Sequence, residues 1–176
     1  MPNFENLTNQ NLSMKIRSNH ALEHATLHVL QEKGNNTQLG GISDFSGFWI
    51  YGEVPTDLML SAAQEALARL NKGENTLAVH PNCGTNIAVG SLAAGGMAWM
   101  GMLGTRGRFG RKLRRLPLAV LLALLGYQLA RPLGPKLQEQ ITTNADMKGL
   151  EIVKVLKHIV IGQTIHHITT RMGVSP

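Results

Sequence analysis

The sequence predicts an α+β fold: a small mixed helix/strand domain into which a two-helix membrane hairpin is inserted. Three observations predict it. Helix-like and strand-like stretches alternate over residues 18–80. Two uncharged blocks, Asn75–Thr105 and Leu116–Ala130, flank six cations: Arg106, Arg108, Arg111, Lys112, Arg114 and Arg115. Two further strand-like stretches, joined by a glycine turn, lie within residues 150–170. The lone cysteine, Cys83, excludes a disulfide scaffold. A hydrophobic content of 43% is enough to bury a core, which excludes a disordered chain.

Residues 1–17 are polar, show no apolar core of a signal peptide, and read as a flexible N-terminal tail. Ser18–Lys33 reads as a helix, capped by Ser18 or Asn19 and stopped by Gly34. Its Leu22, Ala25, Leu27, Val29 and Leu30 form a broad apolar stripe. Gly47–Val54 has the aromatic and β-branched content of a strand. Pro55–Asn71 reads as a second helix, with Pro55 and Asp57 near its start and Gly73 past its end. Thr76–His80 reads as a short strand. An α+β segment thus covers residues 18–84. Leu150–His158 alternates strictly, Gly162–Gln163 reads as a turn, and Thr164–Thr170 as the returning strand. Residues 136–176 are therefore expected to complete the α+β domain with a β-hairpin.

The inserted hairpin occupies residues 85–135, with a basic loop at 105–115. Its first block, Ile87–Gly104, is close to the ~20 residues that span a bilayer. Gly90, Ala94 and Ala98 recur every four residues, a spacing that lets a second helix approach, from within the hairpin or from another copy. The second block, Leu116–Ala130, reaches Gly134 if Arg131 snorkels. Pro117 suits its first turn, and Pro132 and Pro135 end it. The six cations equal the net charge of +6 and suit contact with anionic headgroups. The positive-inside rule puts them on the cytoplasmic side of a bacterial inner or internal membrane. A soluble nucleic-acid-binding protein is the weaker reading, because Phe109 is the one aromatic interleaved with these cations and stacking usually accompanies such binding.

The chemistry concentrates in two motifs. His20, Glu23, His24 and His28 share one face of the first helix. His20 and His24 stand one turn apart, where two imidazoles can hold one metal ion. His28 is about 12 Å along the axis from His20 and cannot share that ion with both. The second motif, His80-Pro-Asn-Cys83, has the spacing of a ligand pair and, with His20 and His24, completes a closed structural zinc site. Two alternatives stay open for it. Cys83 before a helix N-terminus is also a candidate nucleophile paired with His80, and the whole HPNCGTN stretch is also a plain turn capped by Asn86. His166 and His167 on the last strand face opposite sides, with His158 the expected neighbour of His167, and read as surface histidines.

His20-Ala-Leu-Glu23-His24 resembles the HxxEH motif of the inverzincin metallopeptidases. That resemblance implies His20 and His24 as ligands, Glu23 as general base, and a third, acidic ligand from a later helix, for which Glu65 or Glu74 is available. More broadly, HALEHATLH, FWIYGEV, HPNCGTN before the apolar hairpin, and the terminal LEIVKV…HHITT resemble an uncharacterised domain family of small bacterial proteins. The family is predicted to be membrane-bound and is catalogued as a domain of unknown function. It implies a two-helix membrane protein and brings no activity, cofactor or catalytic residue. The leading expectation is a membrane-anchored, zinc-binding assembly or stability factor. A membrane-associated zinc hydrolase comes second, so whether the protein is an enzyme stays open.

Overall fold

The computed structural model describes residues 4–35, 37–104 and 109–173, with side chains from Leu12 onward. The chain divides into two compact units, Met1–His80 with Glu139–Pro176, and Pro81–Gln138.

The first unit is α+β. Helix α1 runs Phe4–Glu32. It begins well before Ser18, so the segment expected as a flexible tail is helical from Phe4. Its composition is polar, but no glycine or proline interrupts it before Gly34. Strands β1 (Gly40–Ser43) and β2 (Gly47–Tyr51) follow, then α2 (Thr56–Asn71). β1 was not foreseen, because its two glycines mask the strand pattern. The strand expected at Thr76–His80 is a 3₁₀ turn, Asn75–Ala78. There Leu77 N–H donates to Glu74 O and Val79 N–H to Thr76 O, which leaves no free edge for a ladder. A five-residue π turn, Gln138–Thr142, precedes β3 (Leu150–Val160) and β4 (Gln163–Met172).

The four strands form an antiparallel sheet in the order β1-β2-β4-β3, so the C-terminal hairpin completes the sheet through β2 and β4. Alternation sends Phe48, Ile50, Thr164, His166, Ile168 and Thr170 to one face, and all six are buried. Leu22, Ala25, Val29 and Leu30 of α1 and Met59, Ala62, Ala63 and Ala66 of α2 close the core. The alanines let α2 lie close to its neighbours. Burial of a side chain such as Phe48 contributes about 3–5 kcal/mol by the cost of truncating it. The β3–β4 turn is Ile161–Gly162, with φ of 50° and 75°, one residue earlier than expected. That turn fixes Val160 opposite Gln163, and hence His158 opposite Ile165 and Leu156 opposite His167. His158 is therefore not the partner of His167 in the ladder.

The second unit holds α3 (Gly84–Met102), α4 (Phe109–Ala130) and the short α5 (Leu133–Leu137). Helix α4 starts at Phe109, so Pro117 lies inside it rather than in its first turn. Pro132 ends α4 as expected, but Pro135 falls within α5. α3 and α4 pack through small residues. A Cβ at Gly90 would meet the Tyr127 ring at 2.5 Å, and one at Gly126 would meet Ala93 O at 2.7 Å. Gly90 is buried against Tyr127, and Ala94 and Ala98 are half-buried. Arg115 donates to Leu103 O at 2.7 Å, closing the C-terminal end of α3. Arg106 and Arg108 lie outside the described residues, and Arg111, Lys112, Arg114 and Arg115 occupy the first turns of α4.

Among the described residues, α4 is the one helix long and apolar enough to cross a bilayer, and only 17% of its most apolar window is buried. α3 fails that test because glycine, serine and asparagine dilute its hydropathy. The expected two-helix membrane hairpin is thus a packed helical hairpin with one candidate span.

Candidate metal centre

The geometry of α1 places His20 and His24 one turn apart, their ring centroids separated by 4.3 Å. Each ring is held by a backbone carbonyl. His20 Nδ1 is 3.0 Å from Thr142 O, and His24 Nδ1 is 2.8 Å from Ala78 O. A carbonyl only accepts, so both Nδ1 atoms carry the proton. Nε2 of each ring then carries the lone pair that a metal ion could take. This is the arrangement of a ligating histidine with its supporting partner.

Cys83, three residues beyond His80, caps α3, and its Sγ accepts from Thr85 N–H at 3.5 Å. The thiol is buried. His20 and His24 thus offer two imidazole donors to one ion, and Cys83 offers a thiol at the start of α3.

His80, expected as a further ligand, lies beside this histidine pair. Its ring packs at 5.7 Å from His24 and 4.8 Å from His28. Burial, with the His28 and His24 rings adding to it, pushes its pKa down to about 4, so it is a neutral imidazole. His28 Nε2 donates to Val79 O at 3.0 Å. The Ala78–Val79 backbone is thus gripped by two histidines of α1.

Glu23 is buried and accepts a hydrogen bond from Ser43 Oγ. Its carboxylate fills the space over Gly41, where a Cβ would lie 2.2 Å from Oε1. Glu65 and Glu74, available as an acidic third ligand, instead pair with Lys33 and Arg69 on the surface. Both carboxylates are thus held in surface ion pairs rather than at His20 and His24 as the acidic ligand of the inverzincin pattern.

His166 and His167 face opposite sides of the sheet, as alternation requires. His166 is buried with Nε2 3.2 Å from Thr56 Oγ1, and burial lowers its pKa. His167 stacks on Trp49 at 3.9 Å. Sequence reasoning missed a buried polar group that locks α1 to the sheet. Asn19 donates to Asp44 O at 2.8 Å and accepts from Thr170 Oγ1 at 2.6 Å. Burial works against the Asp44 carboxylate, but hydrogen bonds from Ser46 and Trp49 outweigh it and hold its pKa below the ordinary value. Asn19 was visible only as a helix cap.

Fold and site define an α+β unit carrying a histidine pair that can hold a metal ion, and a second unit that is a packed helical hairpin. Residues 15–155 match the domain of unknown function DUF6391, and the chain belongs to that family. The chain is 36% identical over 146 residues to an uncharacterised protein of Picosynechococcus sp., covering 73% of this chain and 65% of that one. It therefore spans less than two thirds of that relative's length. No solved structure matches it.

Proposed function

We propose that the protein is a membrane-anchored zinc protein that supports the assembly or stability of partner proteins, with His20, His24 and Cys83 as ligands. The observation that carries the metal reading is the pair of Nδ1–H bonds to Thr142 O and Ala78 O, which makes Nε2 the donor of two rings whose centroids are 4.3 Å apart. Anchoring rests on α4, whose Leu121, Leu124 and Leu129 are all more than 60% exposed. The α3–α4 pair enters the bilayer as a hairpin in this reading. Its basic turn, Arg106 to Arg115, lies on anionic headgroups of the cytoplasmic face. Cations at the N-terminus of α4 oppose the helix dipole, so an external anion is their natural partner.

A zinc hydrolase is the second reading, favoured by one observation. His20 and His24, one turn apart on α1 with Glu23 next to His24, leave coordination positions for water. Glu23, as general base, would then have to leave Ser43.

Elemental analysis of detergent-purified protein tests both readings. Stoichiometric zinc in the wild type, lost in His24→Ala and in Cys83→Ser, supports the three-ligand site. Zinc retained in Cys83→Ser removes the cysteine from it. Absence of zinc in the wild type overturns the metal reading. Under the hydrolase reading, Glu23→Gln keeps the metal and abolishes turnover of a peptide library.

A further inference from the structure

We infer that the β3–β4 hairpin is a second lipid contact, inserting its tip, Ile159–Val160–Ile161, into the interface of an anionic bilayer. Among the described residues, the tip is the most exposed apolar segment of the first unit. Ile159 is 72% exposed and Ile161 is 99% exposed. Ile161 also sits at φ 50°, followed by Gly162 at 75°. A two-residue hairpin turn with both φ positive suits Asn-Gly, and a β-branched residue is strained there. The turn therefore carries a bulky apolar side chain that strains the backbone and finds nothing to bury it in the fold. An apolar environment outside the chain would bury that side chain and offset the cost of the turn.

The surroundings of the tip specify that environment. Tyr51 and His158 flank Ile165 in one cross-strand row of the open sheet face, and Val160 lies one row closer to the tip. Tyrosine and histidine, with an apolar body and a polar end, suit the headgroup level. After Glu151 the sequence contains no Asp or Glu. Arg171 cancels Glu151 at the far end of the hairpin, at 2.9 Å. Lys154 and Lys157, nearer the tip, make no ion pair among the described residues. Against these two ammonium groups stands one carboxylate beside the turn, Glu53, which lines a groove with Gly162 and Gln163. The local balance is cationic and suits anionic headgroups.

A second copy added to the edge strand β3 is the competing occupant. The lysines and the register shift between Ile152 and Lys154 argue against it, since edge lysines and bulges are devices that block strand addition.

The inference stands apart from the reading of α4 as a span, and the test separates them. A photoreactive amino acid is placed singly at positions 161, 124 and 72 of the full chain. Each protein is reconstituted in phosphatidylcholine vesicles with and without phosphatidylglycerol. The expected result is a lipid adduct at 161, several-fold above the control at position 72. The adduct increases with phosphatidylglycerol and is reduced by Lys154→Glu with Lys157→Glu. No lipid adduct at 161 alongside one at 124 overturns the hairpin contact and leaves the α4 span standing. Lipid adducts at 161 but none at 124 do the reverse. A chain-to-chain adduct at 161 in place of lipid assigns the tip to a second copy and overturns the proposal.

Discussion

Helices α1 and α4 spend their apolar residues in opposite ways. Leu22, Val29 and Leu30 of α1 are fully buried against the sheet and α2, and the polar face of the helix is committed to backbone carbonyls. In α4 the small residues Ala119, Gly126 and Ala130 are buried, and Leu121, Leu124, Leu125 and Leu129 point outward. A helix that buries alanine and glycine while exposing leucine has its packing partner inside the fold and its solvent outside it. Water is a poor solvent for that surface, and lipid is a good one. The same residue type is thus a core element in one unit and a solvent-facing element in the other.

The sharpest way to break this comparison is a pair of matched truncations. Leu22→Ala should cost about 2–5 kcal/mol, because it opens a cavity in a filled core. Leu124→Ala, 61% exposed, should cost under ~0.5 kcal/mol in detergent, as surface changes usually do. Urea or thermal unfolding of each variant measures both. An equal cost at Leu124 would show that α4 is covered by protein rather than by lipid or detergent.

A smaller effect separates two glycines of the second unit. Gly126 has Ala93 O and Met97 within 3 Å of where a Cβ would stand, whereas Gly95 has nothing within 4 Å. Gly126→Leu should destabilise the α3–α4 pair by about 1–3 kcal/mol, since a backbone oxygen cannot move aside as a side chain can. Gly95→Leu should be neutral or raise helicity. Far-UV circular dichroism during thermal melting distinguishes the two. Destabilisation by Gly95→Leu would mean that the outer face of α3 packs on something the chain does not supply.

Much of this contrast was legible in the sequence, and its failures have physical causes. Period and punctuation located α2, β2, β4 and both apolar helices, because each has a strong pattern bounded by glycine or proline. The N-terminal half of α1 escaped because a polar helix without an apolar stripe looks like a tail. β1 escaped because Gly40 and Gly41 carry no β signal, and Gly41 is there to admit the Glu23 carboxylate, a contact no local pattern records. The pairing of His20 with His24 followed from helical spacing alone. That His80 stands beside the donors rather than among them depends on the 3₁₀ turn, which the sequence disguised as a strand. Tertiary contacts therefore decided these placements, which periodicity could not.

The mildest probe of the comparison is pH. All seven histidines lie in the first unit, and Pro81–Gln138 contains no His, Asp or Glu. Burial, with the His28 and His24 rings beside it, pushes His80 down to about 4. Burial first, and Lys157 after it, lowers His166. In the unfolded chain both titrate near the ordinary value of about 6.5. Between pH 6.5 and about 4 the unfolded state binds protons that the folded state refuses, so stability is full above 6.5 and falls on acidification through that window. Asp44, already held below the usual carboxylate range, adds its own loss only at still lower pH. Trp49 reports the first unit and Trp99 the second, so chelator-treated Trp99→Phe and Trp49→Phe proteins separate the two responses. The Trp49 melting midpoint should drop from pH 7 to pH 4.5, and the Trp99 signal should stay level, because nothing in its unit changes charge there. A Trp99 transition that follows Trp49 downward would show that the helical pair depends on the α+β unit for its stability.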